Sequence, residues 1–394
     1  MRESWRWFGP SDPVTLEEIR QTGATDIVSA LHNIPIGNAW PAEAIEYHRA
    51  LIEAGNLPGS ELYWTVVESI PVHEDIKLAA PGHEKYIDNW IETLSHLGEA
   101  GIKTICYNFM PVIDWTRTDL KYHMPNGVIA LRFDQDKFAA FDLFILERPD
   151  AAKDYNSDEV ARAQSVFEAM SKPEIATLTE TIIAGLPGKM TDAYSLDDFR
   201  KALARYEGID HAALRQNLMA FLDKVLPHAE QAGIKLAIHP DDPPWDMFGL
   251  PRIICTPDDL DILFGSLPNT SNGMTLCVGT YGSRPDNDLP QMAKDFADRI
   301  HFAHLRGVSR DPQEQRSFIE ANHLDSDIDM INVIKNLLSN ERTLKREIFI
   351  RPDHGHQMMA DLENSHGNPG YSGIGRMKGL AEVRGVIKAL SQVE

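Results

Sequence analysis

The sequence predicts an α/β fold, a parallel (β/α)8 TIM barrel, and three observations carry that prediction. Short apolar runs alternate with amphipathic helical stretches, the pattern of βαβ units and a parallel sheet. There are eight such runs, the number that closes the sheet on itself. Four of them, all in the second half, end on a residue able to bind a metal: His239 in IKLAIHPDD, Cys277 in MTLCVGT, His304 in IHFAHLRG and Asp353 in EIFIRPDHG. Barrel chemistry sits where strands run into their following loops, so four ligand types at four consecutive strand ends describe one metal at the barrel mouth.

The first four strands are expected at Trp5–Gly9 (WRWFG), Asp26–Leu31 (DIVSAL), Tyr63–Ser69 (YWTVVES) and Ile102–Phe109 (IKTICYNF). Between them, TLEEIRQT (Thr15–Thr22) and EKYIDNWIETLSHLGEA (Glu84–Ala100) have helical periodicity, with Gly101 as the stop of the second. The distance from Ile102 to Ile234 far exceeds the roughly 30 residues of one βαβ unit. A long insertion near Trp115–Gly208 therefore follows strand four. It is expected to hold a hairpin over Val128–Leu146, a charged helix near Ser157–Met170 and another helix at Leu196–Tyr206. A smaller excursion, Val308–His323, follows strand seven. Both leave from the active-site face, where long ordered insertions serve as lids or oligomer contacts. With no repeat, low-complexity run or linker, residues 1–394 read as one barrel domain with an insertion at 115–208, and the chain is expected to form a homo-oligomer.

Side chains alternate across a strand. His239 therefore shares a face with Ala237 and Lys235, Cys277 with Thr275, His304 with Phe302 and Arg306, and Asp353 with Arg351 and Phe349. Each proposed ligand points into the barrel. Arg306 and Arg351 point the same way, and a guanidinium matches a carboxylate in two-point geometry, which makes Arg306 a candidate for holding an anionic substrate.

Composition narrows the function classes. With 43% hydrophobic residues in 394 the chain can bury a large core. No apolar run approaches the roughly 20 residues of a membrane span, and MRESWRWFGPSD lacks a signal-peptide core. A cytoplasmic enzyme is expected, with no membrane partner. Three cysteines, Cys106, Cys255 and Cys277, are too few and scattered for a disulfide framework, and a reducing compartment suits a thiolate ligand. A net charge of −21 without a basic tract excludes nucleic acid, whose binding rests on phosphate neutralisation.

Each residue also has a structural reading. A lone strand-end histidine is commonly a hydrogen-bonded core residue, a lone cysteine a small hydrophobe, and Asp353 could cap a helix. Four such residues at equivalent places favour a metal. His354, directly after Asp353, would leave on the opposite side of an ideal strand, but a strand that ends at Pro352–Asp353 can twist both side chains to the mouth. It then suits proton transfer; its alternative is to hold the loop His354–His356. Downstream, GNPGYSGIGRMKGL (Gly367–Leu380) matches neither a P-loop nor a dinucleotide fingerprint. It is read as a loop that carries Tyr371 over the metal, a packing tyrosine being the alternative. His32, His211, His301, His323, His356 and His366 show no comparable ordering.

WRWFGPSDPV at Trp5, HNIPIGNAW at His32, CYNFMPVIDWTRT at Cys106, HPDDPP at His239, LCVGTYG at Leu276, HLRG at His304, RPDHGH at Arg351 and GNPGYSGIGR at Gly367 together resemble the metal-dependent mannonate dehydratases of hexuronate breakdown, over nearly the whole chain and in order. The resemblance implies a xylose-isomerase-like barrel that eliminates water from D-mannonate to give 2-dehydro-3-deoxy-D-gluconate. It implies Mn2+ or Fe2+ on His239, Cys277, His304 and Asp353, with His354 and Tyr371 as the acid/base pair. Ligand softness alone would rank zinc or iron above manganese. Two other readings compete: a sugar isomerase or epimerase on the same barrel, and a metal-binding scaffold without activity. Carboxylate-rich isomerase sites lack the Cys277 and His354/Tyr371 set, and no trio of strand-end carboxylates supports an enolase-type dehydratase.

Overall fold

In the computed structural model, which describes residues 1–183, 195–363 and 367–393, eight parallel strands close a barrel. They are β1 (Arg2–Arg6), β2 (Asp26–Ser29), β3 (Tyr63–Glu68), β4 (Thr104–Tyr107), β7 (Lys235–Ile238), β8 (Asn272–Cys277), β9 (Ile300–His304) and β12 (Phe349–Arg351), in that order around the barrel, with β12 returning to β1. Part of the 115–208 insertion and His366 lie outside the described residues. The register sets Cys277 level with His304, and His304 level with Arg351, so consecutive strand ends form one rim.

Strand parity partitions the core. Val28, Val66, Cys106, Ala237 and Phe302, with Phe349 against them, form a small cluster separate from the main core. This is the filling of the barrel lumen. Their neighbours Ile27, Val67, Ile105, Leu236, Ala303 and Ile350 belong to the large cluster shared with the helices. Truncating Phe302 in that lumen would cost about 3–5 kcal/mol.

The outer helices form where periodicity and capping agree. Helix Leu16–Thr22 opens with a capping box between Thr15 and Glu18 and closes at Gly23, whose φ is 81°. Helix Glu84–Glu99 buries Ile87, Trp90, Leu94 and Leu97 along one stripe. That stripe meets helix His211–Ala232, with the rings of Trp90 and Phe221 5.2 Å apart.

Four remaining strands build a second sheet from both excursions. From the insertion come β5 (Asp119–His123) and β6 (Ile129–Phe133), and from the later excursion β10 (Gly307–Arg310) and β11 (Phe318–Ala321). They pair antiparallel in the order β10-β11-β6-β5, with Phe318 opposite Phe133. The sheet leans on the loop after β12, since Ile129 and Gln357 exchange two backbone hydrogen bonds of 3.0 and 2.9 Å. Beyond it, helices Ser157–Ala169 and Leu196–Ala204 stand where helices were expected, and Lys172–Ile183 adds a third. Among the described residues no helix is long and apolar enough to cross a membrane.

Two expectations are corrected. The first strand covers Arg2–Arg6 rather than Trp5–Gly9: Arg2 and Glu3 pair with Phe349 and Ile350 despite their charge, and the chain turns at Gly9, where φ is 100°. The stretch Val128–Leu146 is not a hairpin. Its first part is β6, but Asp134 accepts hydrogen bonds from the backbone N–H groups of Asp136 and Lys137 and caps a helix over Gln135–Ala140, continued by a π-helical turn to Ile145. Phe138, Phe141 and Leu146 are buried at near-helical spacing. β6 pairs instead with β11 on one side and on the other with the polar β5, half-exposed and therefore without apolar alternation.

Candidate metal centre

His239 leaves the end of β7, anchored by its backbone N–H to the Tyr107 carbonyl at 2.7 Å. Its Nδ1 lies 2.7 Å from the Pro240 carbonyl. A carbonyl only accepts, so Nδ1 carries the hydrogen and Nε2 keeps its lone pair. Cys277 and His304 are the last residues of β8 and β9. The donor atoms of His239, Cys277 and His304 all lie within 4.8 Å of one another, a separation that one ion with bonds of about 2.0–2.3 Å spans.

His304 is fully buried, and its Nε2 has no hydrogen-bond partner. That nitrogen faces Glu68 Oε1 at 3.6 Å, while Nδ1 lies 3.4 Å from Arg351 Nη2 and 4.0 Å from Asp353 Oδ1. A buried imidazole with an unsatisfied nitrogen, set among charged groups, is a candidate metal ligand. Burial holds His239 and His304 below the ordinary histidine range, so both are neutral and able to donate. Burial also pushes the Cys277 thiol up to about 12; a cation beside a thiol reverses that sign. These residues fit a divalent ion.

Asp353 lies at the edge of this group. Its Oδ2 is 3.6 Å from Cys277 Sγ, while Arg351 Nη1 donates to Oδ1 at 2.6 Å and Arg306 Nη1 sits 3.3 Å from Oδ2. Burial works against its charge, but Arg351 and Arg306 outweigh it and hold the carboxyl well below the usual range. The backbone of Asp353 is left-handed, φ 64°, which side chains other than glycine seldom adopt. The reversal after β12 lets successive side chains share the mouth, and His354 follows Asp353 there: its Nε2 is 3.8 Å from Asp353 Oδ1.

His354 and Tyr371 meet with ring centroids 4.9 Å apart. Trp115 closes on the first ring and Phe8 on the second. Tyr371 arrives on the glycine-rich loop, tied to His354's loop by the Gly355 N–H donating to the Gly370 carbonyl at 2.8 Å. A Cβ at Gly370 would lie 2.9 Å from the His354 ring, and one at Gly355 only 2.3 Å from the Arg376 amide. The glycines serve close packing of two loops. Burial pushes the Tyr371 phenol up to about 12, so it carries its proton at neutral pH.

Arg306, the candidate for holding an anionic substrate, is engaged by protein groups. Its Nη1 donates to Glu320 at 3.1 Å and its Nη2 to Asp242 and Thr280, each at 3.2 Å. It does line the cavity that His239, Asp242, Asp353, His354 and Tyr371 share.

The sequence reading missed an inner ring of carboxylates. Glu68, at the end of β3, accepts two hydrogen bonds from Arg351 at 2.8 and 3.0 Å and an ion pair from Arg6 at 3.2 Å. Burial opposes its charge, but Arg351 and Arg6 hold the carboxyl below the usual range. Asp242 accepts from Arg117, Arg306 and Thr280, and the Thr280 hydroxyl in turn touches Cys277 Sγ at 3.1 Å. The strand-end position of Glu68 was a usable signal. Glu320, on β11, had none.

The whole chain, residues 1–394, matches the family model described as D-mannonate dehydratase (UxuA). The chain belongs to the mannonate dehydratase family. It is 51% identical over 391 residues to a mannonate dehydratase of Marinomonas sp. (strain MWYL1), covering 98% of each chain. It is 48% identical over 400 residues to that of Saccharophagus degradans, covering 100% of this chain and 99% of the relative. A crystal structure of mannonate dehydratase from Streptococcus suis serotype 2 superposes with a TM-score of 0.76 at 33% identity, covering 100% of this chain and 95% of that one. The activity is that of the family: the chain is a hydro-lyase that dehydrates mannonate.

Proposed function

We propose that His239, Cys277, His304 and Asp353 hold one Mn2+ or Fe2+, and that His354 and Tyr371 move the protons of D-mannonate dehydration, giving 2-dehydro-3-deoxy-D-gluconate. The observation that carries this reading is the convergence of three neutralisable donors within 4.8 Å beside a histidine and a tyrosine 4.9 Å apart on the same cavity. The C2 proton of mannonate lies next to a carboxylate, a poor activator because its enolate is a dianion. A bound divalent ion supplies Lewis-acid charge for that carboxylate.

The chain's own residues do the rest. His354 Nε2, facing Asp353, takes the C2 proton. The protonated Tyr371 phenol gives its proton to the departing 3-hydroxyl, so that one side chain gains the proton and the other loses it. The enol that remains ketonises to the 2-keto acid. Arg306, fixed between Glu320 and Asp242, contributes positive charge to the same wall. The second sheet, β10-β11-β6-β5, serves as a cover sheet that keeps bulk water from the reacting carbons. A cytoplasmic homo-oligomer completes the reading.

One experiment tests it: D-mannonate in deuterated solvent with the chelated enzyme, with the enzyme reloaded with Mn2+ or Fe2+, and with reloaded His354→Asn and Tyr371→Phe. Keto-acid formation is expected to vanish on chelation and return on reloading. Each variant is expected to lose roughly 10²- to 10⁴-fold in turnover while still binding mannonate. C2 exchange should disappear in His354→Asn and persist in Tyr371→Phe. The opposite exchange pattern reverses base and acid, and full turnover in chelated enzyme removes the metal from the reading.

A further inference from the structure

Glu320 lies outside the barrel, on β11 of the cover sheet, yet it is 3% exposed and its carboxylate reaches into the site. Its Oε1 accepts from Arg117 Nε at 3.1 Å, Arg117 Nη2 at 2.8 Å and Arg306 Nη1 at 3.1 Å. Its Oε2 lies 2.7 Å from His354 Nδ1. Burial opposes charge on Glu320, but the Arg306 and Arg117 guanidiniums, with the hydrogen bond from His354, draw the carboxyl down to about 2. Ionised, it offers no hydrogen.

The contact therefore has a fixed sense: Nδ1 of His354 carries the hydrogen and donates, which turns Nε2 toward Asp353 and the cavity. Arg306 Nη1 is also 3.2 Å from Nδ1, but a guanidinium and a protonated Nδ1 are both donors, so Glu320 holds them side by side. The His356 ring anchors the same strand through the Glu320 carbonyl at 2.7 Å. Trp115 and Tyr371 restrict the His354 ring on its flanks without forming a hydrogen bond to either nitrogen.

We propose that Glu320 is a positioning residue for the dehydration: it fixes the tautomer and direction of His354, so that the base is aligned only when the cover-sheet strand is docked on the barrel. This rests on the reading of His354 as the group that moves the C2 proton. A carboxylate behind a catalytic imidazole acts in the same way elsewhere, by orienting the ring and by compensating the charge it gains.

The test is a double-substitution cycle on the metal-loaded enzyme with D-mannonate. Glu320→Gln is expected to lower kcat about 10- to 100-fold, with KM and metal content within about twofold of the parent. In the His354→Asn background the same substitution is expected to change residual turnover by less than about twofold, because no imidazole remains to be oriented. An equal loss in both backgrounds overturns the proposal and makes Glu320 a support for Arg117 and Arg306. Unchanged kcat in Glu320→Gln alone also overturns it. Should Glu320→Gln fail to fold, Glu320→Asp decides: it keeps the charge between the arginines but withdraws the carboxylate by one methylene, and a fall in kcat with unchanged KM is expected, unchanged kcat being fatal. Full turnover in His354→Asn would instead sink the reading of His354 and this proposal with it, whereas a large His354→Asn loss beside a silent Glu320→Gln sinks Glu320 alone.

Discussion

At the scale of residues, Cys277 is where the chemistry is most exposed to test. A thiol in the barrel rim with its ordinary acidity displaced upward gains nothing from deprotonation unless a cation shares its charge. A serine hydroxyl is far less acidic still. Cys277→Ser is therefore expected to lower metal affinity at least about tenfold, with the fold intact because the change is nearly isosteric. Metal content after dialysis, measured by atomic emission, decides it: a full complement of metal would return Cys277 to the role of a core residue. The grouping of His239, Cys277 and His304 was legible in the sequence because each ends an apolar run, whereas Asp353 lies past the end of β12 with a left-handed backbone, where parity does not hold. Glu320 was not, because it arrives on a strand of another sheet and acts across a contact that no local pattern encodes.

At the scale of elements, two loops meet where both have shed their side chains. Gly355, after β12, packs on the backbone of the helix Gly373–Val393 so closely that a methyl group would stand 2.3 Å from the Arg376 amide and from the Gly375 carbonyl carbon. Backbone cannot rotate out of the way. Gly355→Ala is expected to destabilise the protein by about 1–3 kcal/mol and to lower turnover by moving His354 away from Tyr371. Thermal unfolding combined with kcat checks this, and a variant of parental stability and activity would show that the loops yield. The barrel elements were legible because lumen and helix faces obey simple periods. The hairpin that became a helix was not: an apolar run such as FAAFDLFIL fits either state, and the Asp134 cap decided it.

At the scale of the whole molecule, buried histidines set a lower limit on working pH. Burial depresses His48 from 6.5 to about 4 and His301 to about 3. In the unfolded chain both take up a proton near 6.5, whereas the native state accepts it only at much lower pH. Their contribution to stability is complete above about 6.5 and is lost as pH falls toward 4. The unfolding midpoint is therefore expected to drop steadily from pH 7 to pH 5, before the paired carboxylates Glu68, Asp242 and Glu320 begin to protonate. A midpoint that stays level across that range, by scanning calorimetry, would show that these rings remain solvated.

Loops at the mouth of a β/α barrel ordinarily vary independently, which is how one scaffold comes to host many reactions. Here β6 of one excursion is hydrogen-bonded to β11 of the other, and heredity cannot treat them as separate parts. A single-residue slip of β11 against β6 would turn Phe318 to the opposite face and swing Glu320 off His354. Descendants that alter the mouth must change both segments together, and a chimera assembled from two relatives has to inherit them as a pair.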